Sequence, residues 1–231
     1  IGNTVPSAIR KNNTLLSLVA PPDHYGSPYA GLSAFAACEG LVPPTKAGSA
    51  TDDDVAAFRA EHHIWADGWE TFAGPGSLVG QVRFKRRWDQ IRRYAADRDI
   101  HIMGDLPLYV AQNGADRRAA PEFFRNDGVA GCPPDYFAED GQLWGNPLYD
   151  WERMHADGFT WWVDRVRRAF ELFDAVRIDH FRGLAACWDI PIGAQTAREG
   201  SWQPAPGHEL LSTINAQLGT PALIAEDLGV I

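Results

Sequence analysis

Apolar residues recur at helical spacing in three places along the chain, and each stripe is followed by a short break and an apolar run ending in an acid. In residues 82–99, Phe84, Trp88, Ile91 and Ala95 return at intervals of four, three and four, lining one helix face ahead of "IHIMGDLPLYV". In residues 159–173 the face is Phe159, Trp162, Val166 and Phe170, and "DAVRIDHFRG" follows. In residues 208–219 it is Leu210, Leu211, Ile214 and Leu218, with Gly219 as terminator and Pro221 just beyond, before "ALIAEDLG". Helices alternating with short buried runs predict parallel strands with helical crossovers, an α/β fold. Residues 111–158 carry no such period and are rich in Gly, Pro, Asn and aromatics. The expectation there is a long irregular segment that acts as a lid or binding loop.

Parallel α/β folds bind ligands at the carboxyl ends of their strands. The three apolar runs deliver Asp105, Asp179 and Glu226 to that edge. Strand side chains alternate, so Arg177 and Asp179 point to one side, and Ile178 and His180 to the other. A guanidinium beside Asp179 favours its ionised form, whereas Ile224, Ala225 and Leu228 beside Glu226 favour a protonated carboxyl. One charged and one protonated acid is the division of labour in glycoside cleavage. A buried ion pair without catalytic duty is the structural alternative for Arg177 and Asp179.

Composition narrows the classes. The 231 residues are 45% hydrophobic and 22% charged, enough for one sizeable core, and nine tryptophans offer flat surfaces for sugar faces as well as core. A net charge of −9 argues against nucleic acid, and the basic run "RFKRRW" (residues 83–88) sits on the first helical pattern as a solvated face. Cys38, Cys132 and Cys187 are odd in number and form no CxxC pair, which fits a reducing, cytoplasmic compartment better than a disulfide or zinc framework. There is no HxH or HExxH for a metal, no glycine-rich phosphate loop for a nucleotide and no G-x-S-x-G elbow, so no cofactor and no metal are expected. No apolar run reaches the ~18 residues of a membrane span. The absence of an initiator Met marks a processed chain or a fragment.

"RIDHFRG", "IAEDLG", "GDLP", "GSPYAGLSAFA" and above all "CPPDYFAEDGQLWGNPLYDW" resemble the 4-α-glucanotransferases (amylomaltases) of glycoside hydrolase family 77, from about Leu15 to the last residue. The resemblance implies a (β/α)₈ TIM barrel of the α-amylase clan, working on α-1,4-glucans or maltooligosaccharides by a retaining double displacement. It implies Asp179 as nucleophile, Glu226 as general acid/base, and Arg177 as the group that orients Asp179. It implies sugar contacts for Asp105, Trp144, Tyr29, His180, Asn146 and Tyr136, with Phe137 and Tyr149 adding to the aromatic face of the loop at 131–150. His180 meets substrate only if the strand is already bending there, since simple alternation turns it away.

The chain also departs from the family pattern. The first barrel strand, the last strands and a third acid from a later His-Asp motif have no counterpart, so residues 1–231 read as a partial barrel with 111–158 as its active-site loop region. Arg117 or Arg118 stands where an aromatic is usual, and the segment between Gly48 and Gly80 is short. Two alternatives to transfer follow: a glucan-binding barrel without turnover, and an α-glucan hydrolase of the same clan.

Overall fold

The structure, a computed structural model, describes residues 33–37 and 49–226 together with the backbone of 13–16. The helices are α1 (Asp52–Glu61), α2 (Ala66–Ala73), α3 (Leu78–Ala96), α4 (Ala115–Ala119), α5 (Trp151–Ala156), α6 (Thr160–Leu172) and α7 (Gly207–Leu218). The strands are β1 (Asn13–Leu16), β2 (His101–Leu106), β3 (Phe124–Cys132), β4 (Gln142–Tyr149), β5 (Ala175–Ile178), β6 (Ala186–Pro191), β7 (Ser201–Pro204) and β8 (Leu223–Ala225). They form a parallel sheet in the order β1-β2-β5-β8 and an antiparallel sheet in the order β4-β3-β6-β7.

The three predicted helix–strand units are α3–β2, α6–β5 and α7–β8. On α3, Phe84, Trp88 and Ala95 are buried as the period requires, and the Trp88 indole donates to the Leu172 carbonyl at 2.8 Å. On α6, Trp162, Val163, Val166 and Ala169 are buried against the sheet. Helix α7 ends where Gly219 turns left-handed at φ 69°, a conformation that costs glycine little. Helix α1 opens on a capping box: Asp54 N–H donates to Thr51 Oγ, while the Thr51 N–H donates back to the Asp54 carboxylate. Among the described residues, no helix is long and apolar enough to cross a membrane.

One strand adds to those predicted, and one expectation needs correction. Asn13–Leu16 forms a strand ahead of the three predicted ones, paired in parallel with β2. Residues 111–158 are not irregular: they hold α4, the β3–β4 hairpin and α5, and with β6 and β7 the hairpin makes a second sheet. These strands are invisible to a period-two search because their burial runs in blocks. In β3, residues 128–131 are consecutively buried, and so are residues 146–149 at the end of β4. Close approach also replaces side-chain packing. A Cβ on Gly131 would lie 2.1 Å from the Gln142 carbonyl oxygen, so only glycine fits.

Candidate active site

Register builds the site. Asp105 on β2 is the Cα partner of Arg177 on β5. Ile178 is the partner of Ala225 on β8, so Asp179 and Glu226 are the next residues out on adjacent strands. All four side chains meet at the carboxyl edge of the parallel sheet. The Arg177 guanidinium donates through Nε and Nη2 to both oxygens of Asp105, at 2.8 and 2.9 Å. Its Nη1 reaches Glu226 Oε1 at 2.7 Å, and Nη2 reaches Asp179 Oδ1 at 3.2 Å.

One cation among three acids leaves uncompensated negative charge, so the acids compete for protons. Burial, then the charge of Glu226 and the hydrogen bond with it, then the charge of Asp105, raise Asp179 to about 6 against the pull of Arg177. Burial also pushes Glu226 up, but the His180 N–H at 2.8 Å, the Asp179 hydrogen bond and Arg177 outweigh it and hold Glu226 below the usual carboxylate range. Hydrogen bonding to Asp105 holds Arg177 above its ordinary value. This reverses the protonation order expected from sequence, in which Asp179 was the more acidic group. The reason is the guanidinium geometry. Asp105 takes a bidentate pair and Glu226 the shortest contact, leaving Asp179 the longest. The apolar neighbours of Glu226 matter less than the donors aimed at it.

The backbone turns at His180, so strand alternation does not fix where its ring points. Strand β5 ends at Ile178, and His180 adopts φ 50°, the left-handed region that few non-glycine residues occupy. That turn aims its N–H at Glu226 and sets its ring edge-on to Trp144, with centroids 4.8 Å apart. Burial keeps the imidazole pKa below its ordinary value, so the ring is neutral at pH 7. Trp144 is half-buried and anchored by its Nε1–H to Gln142 Oε1 at 3.0 Å.

Other predicted contacts fall elsewhere. Asn146, expected to touch sugar, is 1% exposed, and its amide donates to the Val110 carbonyl at 2.8 Å; it ties β4 to the segment after β2. Tyr149 is likewise an anchor, buried with its hydroxyl donating to the Leu108 carbonyl at 2.7 Å. Tyr136 and Phe137 are 96% and 91% exposed, edge-to-face with each other, on a turn where Asp135 Oδ1 accepts the Phe137 and Ala138 N–H groups. No contact joins Tyr136 to the acid cluster among the described residues. Tyr29 lies outside the described residues.

Sequence reasoning missed two residues. Tyr109 is buried beside His180, Trp144 and Tyr149, and its hydroxyl has no hydrogen-bond partner among the described residues. Arg165 is buried under the site. It donates to the Pro107 and Leu108 carbonyls and to the Tyr149 hydroxyl, riveting the segment that leaves β2. An arginine on the same helix face as Trp162 and Ala169 was the available signal for Arg165.

A sequence profile described as 4-alpha-glucanotransferase matches residues 77–231. A 4-alpha-glucanotransferase of Streptococcus pneumoniae is 47% identical over 157 residues, covering 65% of this chain and 31% of that protein. One from Synechocystis is 44% identical over 189 residues, covering 78% of this chain and 37% of its own length. The chain thus spans about a third of the length of the curated relatives it matches. Among solved structures, amylomaltase from Streptococcus agalactiae in complex with acarbose superposes with a TM-score of 0.81 at 26% identity, over 95% of this chain and 62% of that one. Amylomaltase from Corynebacterium glutamicum shares the fold, with a TM-score of 0.77 at 17% identity over 95% of this chain and 43% of that one.

Proposed function

This chain belongs to the 4-alpha-glucanotransferase family, glycoside hydrolase family 77, and from that premise we propose that it carries the acid machinery for moving α-1,4-glucan segments between maltooligosaccharides. The single observation behind this reading is the cluster at the sheet edge, where Arg177 holds Asp105, Asp179 and Glu226 from three neighbouring strands. We read the parallel sheet β1-β2-β5-β8 as part of a (β/α)₈ barrel, residues 1–231 as a partial catalytic domain, and 111–158 as the region that covers the cleft.

Asp179 attacks the anomeric carbon while Glu226 protonates the glycosidic oxygen, and a shortened glucan departs. The 4-hydroxyl of an acceptor sugar then attacks the glycosyl–Asp179 ester, giving its proton to Glu226. His180 and Trp144 form the wall beside the reacting bond. The two carboxyls hydrogen-bond to each other, the arrangement of a pair that shares one proton. A seated sugar parts them, leaving the shared proton on Glu226 and Asp179 ionised by Arg177.

Incubation with maltotriose tests the reading. Longer maltodextrins plus glucose are the expected products. Glucose and maltose alone would mean hydrolysis, and binding without products would mean a glucan-binding barrel. Asp179→Asn is expected to lower turnover by roughly 10⁴-fold or more, with binding still measurable. An active Asp179→Asn chain removes Asp179 as nucleophile. Since only the singly protonated pair is competent, kcat/KM should fall about tenfold per pH unit above about 6, the value to which Asp179 is raised.

A further inference from the structure

A second concavity lies away from the acid cluster, between α2, α4, α6 and residues 33–35, with a volume of about 100 Å³. That is below the ~300–1,000 Å³ of drug-sized sites and suits a single small ring. Its inner wall is aromatic, made by Phe35, Trp65 and Trp161, all buried, with Trp69 nearer the rim. Two polar groups interrupt it. Asp116 is buried, its Oδ2 accepts the Ala34 N–H at 2.8 Å, and it makes no ion pair among the described residues. The Trp69 Nε1–H is buried without a hydrogen-bond partner among the described residues. A buried orphan donor costs about 1–3 kcal/mol, and here it lines the same pocket as an acceptor with spare lone pairs. The rim is kept low by Gly68, Ala119 and Ala120.

Charge decides the ligand class. The Arg165 guanidinium lies 5.4 Å from the Trp161 ring centre, and that of Arg168 lies 5.2 Å from the Trp65 ring centre. These rings already have cations, which repel a third. The Asp116 carboxylate repels an anion. What remains is a neutral, flat-faced molecule whose hydroxyls can donate to Asp116 and accept from Trp69, with C–H faces lying on indole. We propose that this pocket is a binding site for a single neutral pyranose unit, separate from the acid cluster. It stands independently of the transfer reading, and a glucan chain end would supply such a unit.

The test uses the full chain labelled with 5-fluorotryptophan and titrated with methyl α-D-glucopyranoside. The Trp69 resonance, identified by its loss in Trp69→Phe, should move saturably with a dissociation constant on the order of millimolar. Ala119→Leu fills the mouth from an exposed position and should weaken that response about tenfold or more, with maltotriose turnover unchanged. Choline, a cationic control, should leave the resonance in place. An unmoved Trp69 resonance, a response indifferent to Ala119→Leu, or saturation by choline overturns the site. A moving Trp144 resonance with Trp69 still would reject this pocket while leaving transfer intact. A moving Trp69 without maltotriose products would do the opposite.

Discussion

Two arginines from consecutive elements, Arg165 on α6 and Arg177 on β5, sit within one site region and are used in opposite ways. Arg165 is buried and binds neutral oxygens: the carbonyls of Pro107 and Leu108 and the hydroxyl of Tyr149. Arg177 is half-buried and binds three carboxylates. The first holds backbone in place, while the second sets which carboxylate keeps a proton. Arg177→Met should therefore lower kcat by roughly 10²–10³-fold, with a small change in thermal stability. Arg165→Met should cost about 2–3 kcal/mol of stability, because the buried Pro107 carbonyl loses its donor and the Leu108 carbonyl keeps only the Tyr149 hydroxyl, with turnover per folded molecule largely kept. Parallel melts and maltotriose assays check both. If the two variants lose stability and activity in the same proportion, the separation of roles fails.

The same contrast runs through what could be read from the sequence. The parallel sheet was legible because α3, α6 and α7 each repeat an apolar face and each following strand ends in an acid. Asp105, Asp179 and Glu226 converge because their strands are neighbours, which follows from the α/β pattern alone. The antiparallel sheet was not legible. Its strands are buried in blocks, and Gly131 lets backbone meet backbone where a side chain would have left a periodic signal. Protonation order was not legible either, since it depends on how Arg177 divides its five donors between Asp105, Glu226 and Asp179. Asn146 and Tyr149 stand in the same motif as Trp144, yet both point inward to anchor carbonyls.

Acidity gives a further way to set the acid cluster apart from the surrounding core. Asp179 is raised from 3.8 to about 6, so the folded chain binds its proton more tightly than the unfolded one. Its contribution to stability is full below about pH 4 and is lost as pH rises through about 6. Asp179→Asn should thus be more stable than the parent at pH 8, with the gain vanishing below about pH 4, measured by denaturant melts at each pH. His62 has the opposite sign. Burial foremost, then the Arg168 charge, lowers it from 6.5 to about 4. The unfolded chain then binds its proton more tightly, and stability is lost as pH falls from about 6.5 to about 4. His62 packs on Phe58 and Trp65, and among the described residues its Nε2 has no hydrogen-bond partner, with Glu61 3.9 Å from Nε2 and Glu171 3.9 Å from Nδ1. His62→Phe should keep that packing and flatten the acid-side loss over the same interval. An unchanged slope would assign the loss to other groups.

The smallest effect belongs to Tyr109, which touches the wall of the site without using its polar atom. Its ring lies 6.1 Å from Trp144, 6.2 Å from Tyr149 and 6.3 Å from His180. Burial raises its pKa well above the ordinary value, so the hydroxyl stays neutral, and it has no hydrogen-bond partner among the described residues. If the ring alone positions His180 and Trp144, Tyr109→Phe removes only a desolvated hydroxyl. Stability should then be unchanged or higher by up to about 1 kcal/mol, with kcat and KM within about twofold of the parent, since the ring contacts stay in place. Tyr109→Leu should instead raise KM with kcat less affected, because the wall loses its backing and the acid cluster does not. A Tyr109→Phe chain that loses turnover would show that the hydroxyl acts on the sugar, and would move Tyr109 from the group that Arg165 serves to the group that Arg177 serves.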